Sequence, residues 1–266
     1  MLACHRAPIE QRPVLSELFK LLEQRGFQVE LGFGEEMLTL TNDITVEKDL
    51  YILKSHSAFW MSMAEILHNK GAHILNPYPN CSATINKIVM TERLRAAGIP
   101  TPHSWITGDL AYLQSLVEKM PLIIKPYNGN RGNGISIIRN AKELAKISPP
   151  NTLMLAQEYI EGGLDYLKTY VIGKKVWCVH KHFDLHKNNY YSRTHGQPFE
   201  VCDEICQIAL RCGQELGLQL YGLDIVEDPT PKVVDLNYFP SYRDVPDASH
   251  HLADYIESYA NQNCSS

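Results

Sequence analysis

The sequence predicts an α/β plus α+β architecture, with a short parallel α/β unit at the N-terminus and a larger α+β part after it. Three observations predict this. Strand and helix patterns alternate up to residue 75, short strands with few helices between them fill residues 122–172, and an acidic strand pair follows a long helix near the C-terminus. The chain has 266 residues, 44% hydrophobic and 21% charged, which is ordinary globular composition and enough length for one to three domains.

Residues 9–26 place Leu15, Leu18, Phe19, Leu21 and Leu22 at helical spacing and stop at Gly26. Phe27–Leu31 alternates as a strand does, and Asp49–Leu53 reads as a buried strand. Ala58–Asn69 predicts a helix closing at Gly71, with Ala72–Leu75 as the next strand. Only a short strand fits before Ile9, so the chain is expected to begin late in this unit. Asn76–Asn80 reads as a loop, and Thr84–Ala97 as one helix stopped by Gly98, with Pro100 and Pro102 beyond. Leu122–Lys125, Gly134–Ile138, Leu153–Ala156 and Thr169–Ile172 predict strands of an antiparallel layer. Val201–Leu216 predicts a helix, Ala248–Ala260 a closing helix, and Asn261–Ser266 a frayed tail.

The formal net charge of −5 argues against a general nucleic-acid or membrane-surface binder. No apolar run approaches the roughly 20 residues of a membrane span. Met1–Pro8 lacks the apolar core of a secretion signal, so a cytoplasmic location is expected. The 7 cysteines are odd in number and scattered, against a disulfide framework. Cys202 and Cys206 share a helix face without the further ligands that zinc requires. His180, His182 and His186 read as exposed strand and loop histidines.

The most informative residues are Asp224, in Tyr221–Val226, and Asp235 and Asn237, in Val233–Asn237. Each segment reads as a short apolar strand, and Glu227–Lys232 as the turn joining them into a hairpin. Residues two apart in a strand share a face, so Asp235 and Asn237 face one way and Leu236 the other. Asp224 can then lie beside them. Two carboxylates and an amide oxygen are hard ligands that suit magnesium held with the phosphates of a nucleotide. The plain alternative is a hairpin with a wet polar face.

Upstream, Lys125 ends an apolar strand and precedes Pro126–Gly134, rich in glycine and asparagine. Backbone N–H groups of such a turn can approach a phosphate closely, with Lys125 adding a cation. It is neither a Walker loop nor a dinucleotide fingerprint, since no helix follows at the needed spacing. In Ala156–Ile160, an extended backbone can meet an adenine edge while Tyr159 and Ile160 pack on the ring.

Taken in order, these segments resemble a known superfamily. They are Asn86-Lys87, Ile124–Pro126 with its glycine-rich loop, Gln157–Ile160, Val171–Gly173, Gly222–Asp224 and Asp235–Pro240. Together they resemble the ATP-grasp superfamily, and within it the RimK-type carboxylate–amine ligases, over about residues 76–250. The resemblance implies an ATP-grasp fold in which two α+β halves clasp ATP. The implied division is 1–82 as a preceding α/β domain, 83–157 as a central lid subdomain and 158–266 as a C-terminal subdomain with the metal site. It implies that Lys87 and Lys125 contact the nucleotide phosphates, that Asn128, Gly129, Arg131, Gly132 and Gly134 belong to the lid loop, and that Gln157, Glu158, Tyr159 and Ile160 form the adenine hinge. Glu161 or Asp165 would hold the ribose. Asp224, Asp235 and Asn237 would hold Mg2+ or Mn2+, and Lys181, Arg193 and Lys168 are the catalytic candidates.

Three departures from the ligase pattern look more like the inositol polyphosphate kinases of the same superfamily. Tyr166–Lys168 stands where the ligases have Asp-x-Arg, and lysine lacks arginine's planar bidentate grip. Asp235 stands where they usually carry Glu, and Tyr238–Arg243 replaces a loop of small residues. The glycine-rich lid, lacking the kinases' histidines and lysine, looks like the ligases. The first expectation is therefore a ligase that joins small carboxylate and amine substrates through an acyl phosphate, releasing ADP and phosphate. The second is a kinase of a polyol or inositol phosphate, whose anion Arg131, Lys168, Lys181, His182, His186, Lys187 and Arg193 would favour. The third is a nucleotide-binding module without turnover. Neither nucleic acid nor membrane is expected as a partner, and a homo-oligomer is, as in related ligases.

Overall fold

The structure, a computed structural model, describes residues 2–4, 12–33, 38–129, 133–148, 151–162, 164–182, 196–227 and 229–264. Its first layer is a parallel sheet in the order β2-β1-β3-β4, made of β1 (Leu2–Cys4), β2 (Leu31–Phe33), β3 (Tyr51–Leu53) and β4 (Ile74–Leu75). Parallel neighbours need crossovers, and α1 (Pro13–Gln24) and α2 (Ala58–Asn69) supply helical ones. Pairing starts only at Leu31 because the chain leaves α1 through Gly26, at φ 88°, and Phe27 still bonds back to the Leu22 carbonyl.

The helix expected over 84–97 is two helices, α3 (Tyr78–Ile85) and α4 (Lys87–Ala96). Asn86 breaks them. It is extended, with φ −82° and ψ 96°, and its side chain accepts from the N–H groups of Ile88 and Val89. Capping of this kind satisfies orphan donors at a helix start. It also makes Lys87 the first residue of α4.

A second, antiparallel sheet has the order β5-β8-β6-β7, from β5 (Ser104–Thr107), β6 (Leu122–Pro126), β7 (Ser136–Ile138) and β8 (Met154–Glu158). The short helices α5 (Gln114–Val117) and α6 (Ala141–Leu144) cover it. The third sheet, β11-β10-β9-β12-β13, comprises β9 (Asp165–Ile172), β10 (Lys175–His182), β11 (Gln197–Phe199), β12 (Leu220–Glu227) and β13 (Pro231–Tyr238). Helix α7 (Asp203–Leu216) precedes β12 and stops at Gly217 in the left-handed region, and α8 (Ala248–Asn263) closes the chain.

Among the described residues, most buried apolar side chains fall into two cores. One runs from α1 through the first sheet, α4, α7 and the third sheet to α8, with Leu18, Leu53, Leu94, Leu216, Leu223 and Leu252 among its members. The other, including Leu113, Leu122, Ile124, Ile138 and Ala156, stays within residues 110–156. Met90 and Leu94 place α4 in the larger core. The boundary expected at 83 falls inside α3, and the smaller core begins beyond it. Among the described residues, no helix is long and apolar enough to cross a membrane, and Cys81, Cys178, Cys202, Cys206, Cys212 and Cys264 are free.

Candidate active site

The acidic hairpin forms as its alternation requires. Strand β12 pairs antiparallel with β13, placing Asp224 directly opposite Asp235 and Gly222 opposite Asn237. Strand β9 pairs with the other edge of β12 and puts Lys168 opposite Asp224. Directly opposite residues face the same way, so Lys168, Asp224 and Asp235 form one row across the sheet, with Asn237 beside it. The core-facing positions between them are Leu167, Thr169, Leu223 and Leu236, each at 0–1% exposure.

The row is densely ion-paired. Lys168 Nζ lies 2.6 Å from Asp224 Oδ1, and Lys87 Nζ 2.5 Å from Asp235 Oδ1. Asn237 Nδ2 donates to Asp235 Oδ2 at 3.1 Å. Lys125, buried at the end of β6, donates to the Val234 carbonyl at 2.8 Å. Burial lowers the Lys125 ammonium to about 8, against the pull of Asp235. Burial raises the Asp224 carboxyl in spite of Lys168. At Asp235 burial also pushes upward, but Lys87 and Lys125 outweigh it and hold this carboxyl below the usual range. Two carboxylates thus face each other, Asp224 buried and Asp235 partly buried, with lysine ammonium groups as their cations. That donor set fits a divalent cation: two carboxylates face each other with the Asn237 amide beside them, and the positive charge there comes from flexible side chains that can turn to phosphate.

The second sheet supplies the opposite wall. Lys125 lies opposite Leu155, and Ile123 opposite Gln157, so Lys125 and Gln157 share a face. Gln157 is 1% exposed and donates from Nε2 to Ser104 Oγ at 2.9 Å. Its Oε1 is buried and, among the described residues, accepts from nothing. A buried acceptor without a donor is costly and calls for a functional reason. Glu158 and Tyr159 spend their N–H groups on the carbonyls of His103 and Pro121. The Glu158 side chain pairs with Lys232 at 2.7 Å, which outweighs burial and lowers its carboxyl. Arg139 lies over the Tyr159 ring at 5.6 Å, and Ile160 is half-buried. In the lid loop, Asn128 is exposed and Gly129 turns back onto the Pro126 carbonyl at 3.0 Å. Gly134, at φ 75°, packs so close to Pro126 that a Cβ would stand 2.8 Å from its ring. Arg131, Gly132 and Arg193 lie outside the described residues, as do His186 and Lys187.

Two expectations change. Asp165 alternates with Lys168 across β9, so it faces the other way, and its exposed side chain is engaged by His182 at 2.8 Å. Glu161, exposed just after the hinge, is the remaining ribose candidate. Lys181 is also not alone. It meets Asp244 at 2.6 Å, and the same carboxylate accepts from Tyr170 at 2.7 Å and from the Gly196 N–H at 3.2 Å. Burial lowers the Lys181 ammonium, while Lys181 and Tyr170 bring the Asp244 carboxyl down against its own burial. Sequence pattern alone does not pair Asp244 with Lys181, because an aspartate in a loop carries no periodic signal.

The first unit reaches the site as well. Lys54 donates to the Phe239 carbonyl at 2.5 Å and lies 5.3 Å from that ring's centre. Tyr238 donates to the Ser55 carbonyl at 2.6 Å and stacks on His56 at 4.2 Å. Burial, with help from Lys54, lowers the His56 imidazole to about 4 and keeps it neutral.

A profile of the RimK-like ATP-grasp domain matches residues 84–252, which span this geometry apart from the contacts of Lys54, Ser55 and His56. The chain belongs to the RimK-like ATP-grasp family. Relatives include an α-aminoadipate–LysW ligase of Saccharolobus solfataricus, 23% identical over 88% of this chain and 90% of that one. A probable α-L-glutamate ligase of Haemophilus influenzae is 25% identical over 74% of this chain and 70% of its own length. The kinase branch is present too: an inositol-tetrakisphosphate 1-kinase of Oryza sativa is 24% identical over 71% of this chain but only 44% of its own. Among solved structures, a RimK-domain ATP-grasp protein of Sphaerobacter thermophilus superposes with a TM-score of 0.77 at 16% identity, covering 96% of this chain and 97% of that one. The ATP-grasp fold is thereby established, and the family places the chain among the ATP-dependent ligases.

Proposed function

We propose that this RimK-like protein joins an amino acid to a carboxylate through an acyl phosphate, at the row formed by Lys168, Asp224 and Asp235. The observation that carries this reading is that row itself: facing carboxylates, Asp224 buried and Asp235 partly buried, Asn237 beside them, and Lys87 and Lys125 approaching from α4 and β6. Lys87 and Lys125 are assigned to the β- and γ-phosphates of ATP. The orphaned Gln157 oxygen is assigned to the exocyclic amine of adenine, with Tyr159 and Ile160 against the ring and Glu161 at the ribose. Asp224, Asp235 and Asn237 would hold magnesium, which when bound would neutralise phosphate charge. The first step is attack of an acceptor carboxylate on the γ-phosphorus with departure of ADP, and the second is displacement of phosphate by the amine. The residues of this chain position the reactants and offset charge, the main work in phosphoryl transfer. Closure of the second sheet over the site would keep water from the acyl phosphate.

The names of two relatives point to acidic amino acids, so glutamate and α-aminoadipate head the panel of amine donors and acceptors, in a cytoplasmic setting where ATP is at hand. The test measures ADP and phosphate together. Equimolar ADP and free phosphate, with a new amide, supports the ligase. Phosphate retained on a polyol acceptor would instead support the kinase, which Lys168 and the Oryza sativa relative favour. No turnover with any acceptor would leave a nucleotide-binding module.

A further inference from the structure

Register along β13 gives the proposed nucleotide a direction. Lys232 holds the hinge residue Glu158, and Asp235 and Asn237 follow it along the strand. Lys87 and Lys125 reach the site at this same edge strand, on Asp235 and on the Val234 carbonyl. ADP would therefore depart on the β13 side. In phosphoryl transfer the attacking and leaving oxygens stand roughly in line. The acceptor then has to come from the opposite side, over β9 and β10.

A cation outside the roles assigned above stands there. Arg243 lies in the loop after β13, which folds back over the sheet. Pro240 covers Gly222, where a Cβ would stand 3.1 Å from its ring. Tyr242 is fully buried and donates to the Val171 carbonyl at 2.9 Å. Its φ of 53° is one that an aromatic residue holds only when its surroundings impose it, and such strain gathers at ligand sites. The Asp244 side chain is 1% exposed and accepts from Lys181, Tyr170 and the Gly196 N–H. Arg243 is thus carried between two anchored neighbours. Its own side chain is 31% exposed, with Nε 3.9 Å from Asp244 Oδ2. Its charge acts on the phenols of Tyr166 and Tyr170 and on the Lys181 ammonium. Those two tyrosines flank Lys168 on one face of β9. The guanidinium therefore stands over the Lys168 stretch, across Asp224 from Lys87 and Lys125.

We propose that Arg243 determines acceptor specificity, binding a carboxylate of the acceptor other than the one that reacts. The acceptor class that follows is an acid with at least two carboxylates. The proposal rests on the ligase reading. A planar guanidinium takes a carboxylate through two parallel N–H bonds, a grip that lysine lacks. Clamped on the attacking carboxylate, it would draw off the charge with which that group attacks. On a second carboxylate it holds the molecule in place and leaves the first to react. The anchored loop supplies this clamp ready-made, which lowers the cost of binding.

The test uses the full-length protein with glutamate against glutamine and glutarate against glutaramate, pairs in which an amide replaces one carboxylate. Hydroxylamine traps each acyl phosphate, and kcat and KM are compared for wild type, Arg243→Gln and Arg243→Lys. Calorimetry with magnesium and a non-hydrolysable ATP analogue records glutarate binding apart from turnover. Wild type should favour the diacids in kcat/KM by about ten- to a hundredfold, as expected of hydrogen bonds to a charged group. Arg243→Gln should raise KM for the diacids by that factor and bring the preference toward one, with KM for ATP and melting temperature unchanged. Arg243→Lys should recover part of it. Hydroxamate formed equally from diacids and amides by wild type overturns the proposal and leaves the ligase standing. A preference that survives in Arg243→Gln overturns it too, as does a loss that travels with KM for ATP or the melting temperature. Glutarate held through Arg243 in calorimetry but giving no hydroxamate supports the clamp and overturns the ligase reading. Glutarate that neither binds nor reacts overturns the clamp.

Discussion

The two hydrophobic cores differ in kind. The larger binds both ends of the chain into one body, because α1, α4, α7, α8 and the first and third sheets all bury residues in it. The smaller holds residues 110–156 together and shares no member with the larger. Polar bonds join the two: Lys125 to the Val234 carbonyl, Lys232 to Glu158 and the Lys87 N–H to the Tyr127 carbonyl. Apolar contact between bodies would fix their spacing, whereas single polar bonds exchange readily with water and substrate. The proposed nucleotide site lies where these polar bonds are. We therefore take residues 104–158 as the moving half of the clasp.

Asp235→Asn should have the largest effect. Turnover should fall at least about a thousandfold, as expected when a group stabilising transition-state charge is lost. The protein should remain folded by circular dichroism, since Leu236 and Leu223, not Asp235, fill the core beneath. A variant with wild-type turnover would refute the metal assignment. Next comes Leu223→Ala, in the larger core, which should cost about 2–5 kcal/mol. Its hydrogen exchange should quicken in α1 and α2 as well as in β9–β13; protection retained in α1 and α2 would mean that the large core is really two. Leu122→Ala should cost about 2–4 kcal/mol, but with faster exchange confined to residues 104–158. If α7 and α8 loosened equally, the independence of the smaller core would be wrong. The smallest effect belongs to Glu158→Gln, which weakens a half-buried pair by about 1 kcal/mol or less. ADP should dissociate a fewfold faster while overall stability holds; an unchanged off-rate would mean that this bond does not close the clasp.

Features set by alternation and turn chemistry were legible in the sequence. The period of two in Val233–Asn237 placed Asp235 and Asn237 on one face, and the turn before Lys232 made the hairpin that brings in Asp224. Helix α2 was readable to its ends because Ser57 caps it and Gly71 follows it. Asn86 was misread, because its side chain had to be seen capping Ile88 and Val89 before a continuous apolar pattern could be divided. Strand β10 was missed because its lysines and histidines hide the alternation of a sheet whose one face is polar. Lys168 meets Asp224, and Lys181 meets Asp244, across separations that only strand register and the path of the loop after β13 determine.

The grip of Lys54, Ser55 and His56 on Tyr238 and Phe239 has a consequence for genetics. Phe239 holds a left-handed backbone, φ 38°, that a bulky residue seldom adopts unaided, and it lies two positions beyond Asn237. Selection for lost function should therefore recover alleles at codons 54–56 whose products behave as metal-binding defects, although those codons lie outside the stretch that defines the family. Suppressors of such alleles are expected among codons 238–242, where a glycine could adopt the same curve with no anchor.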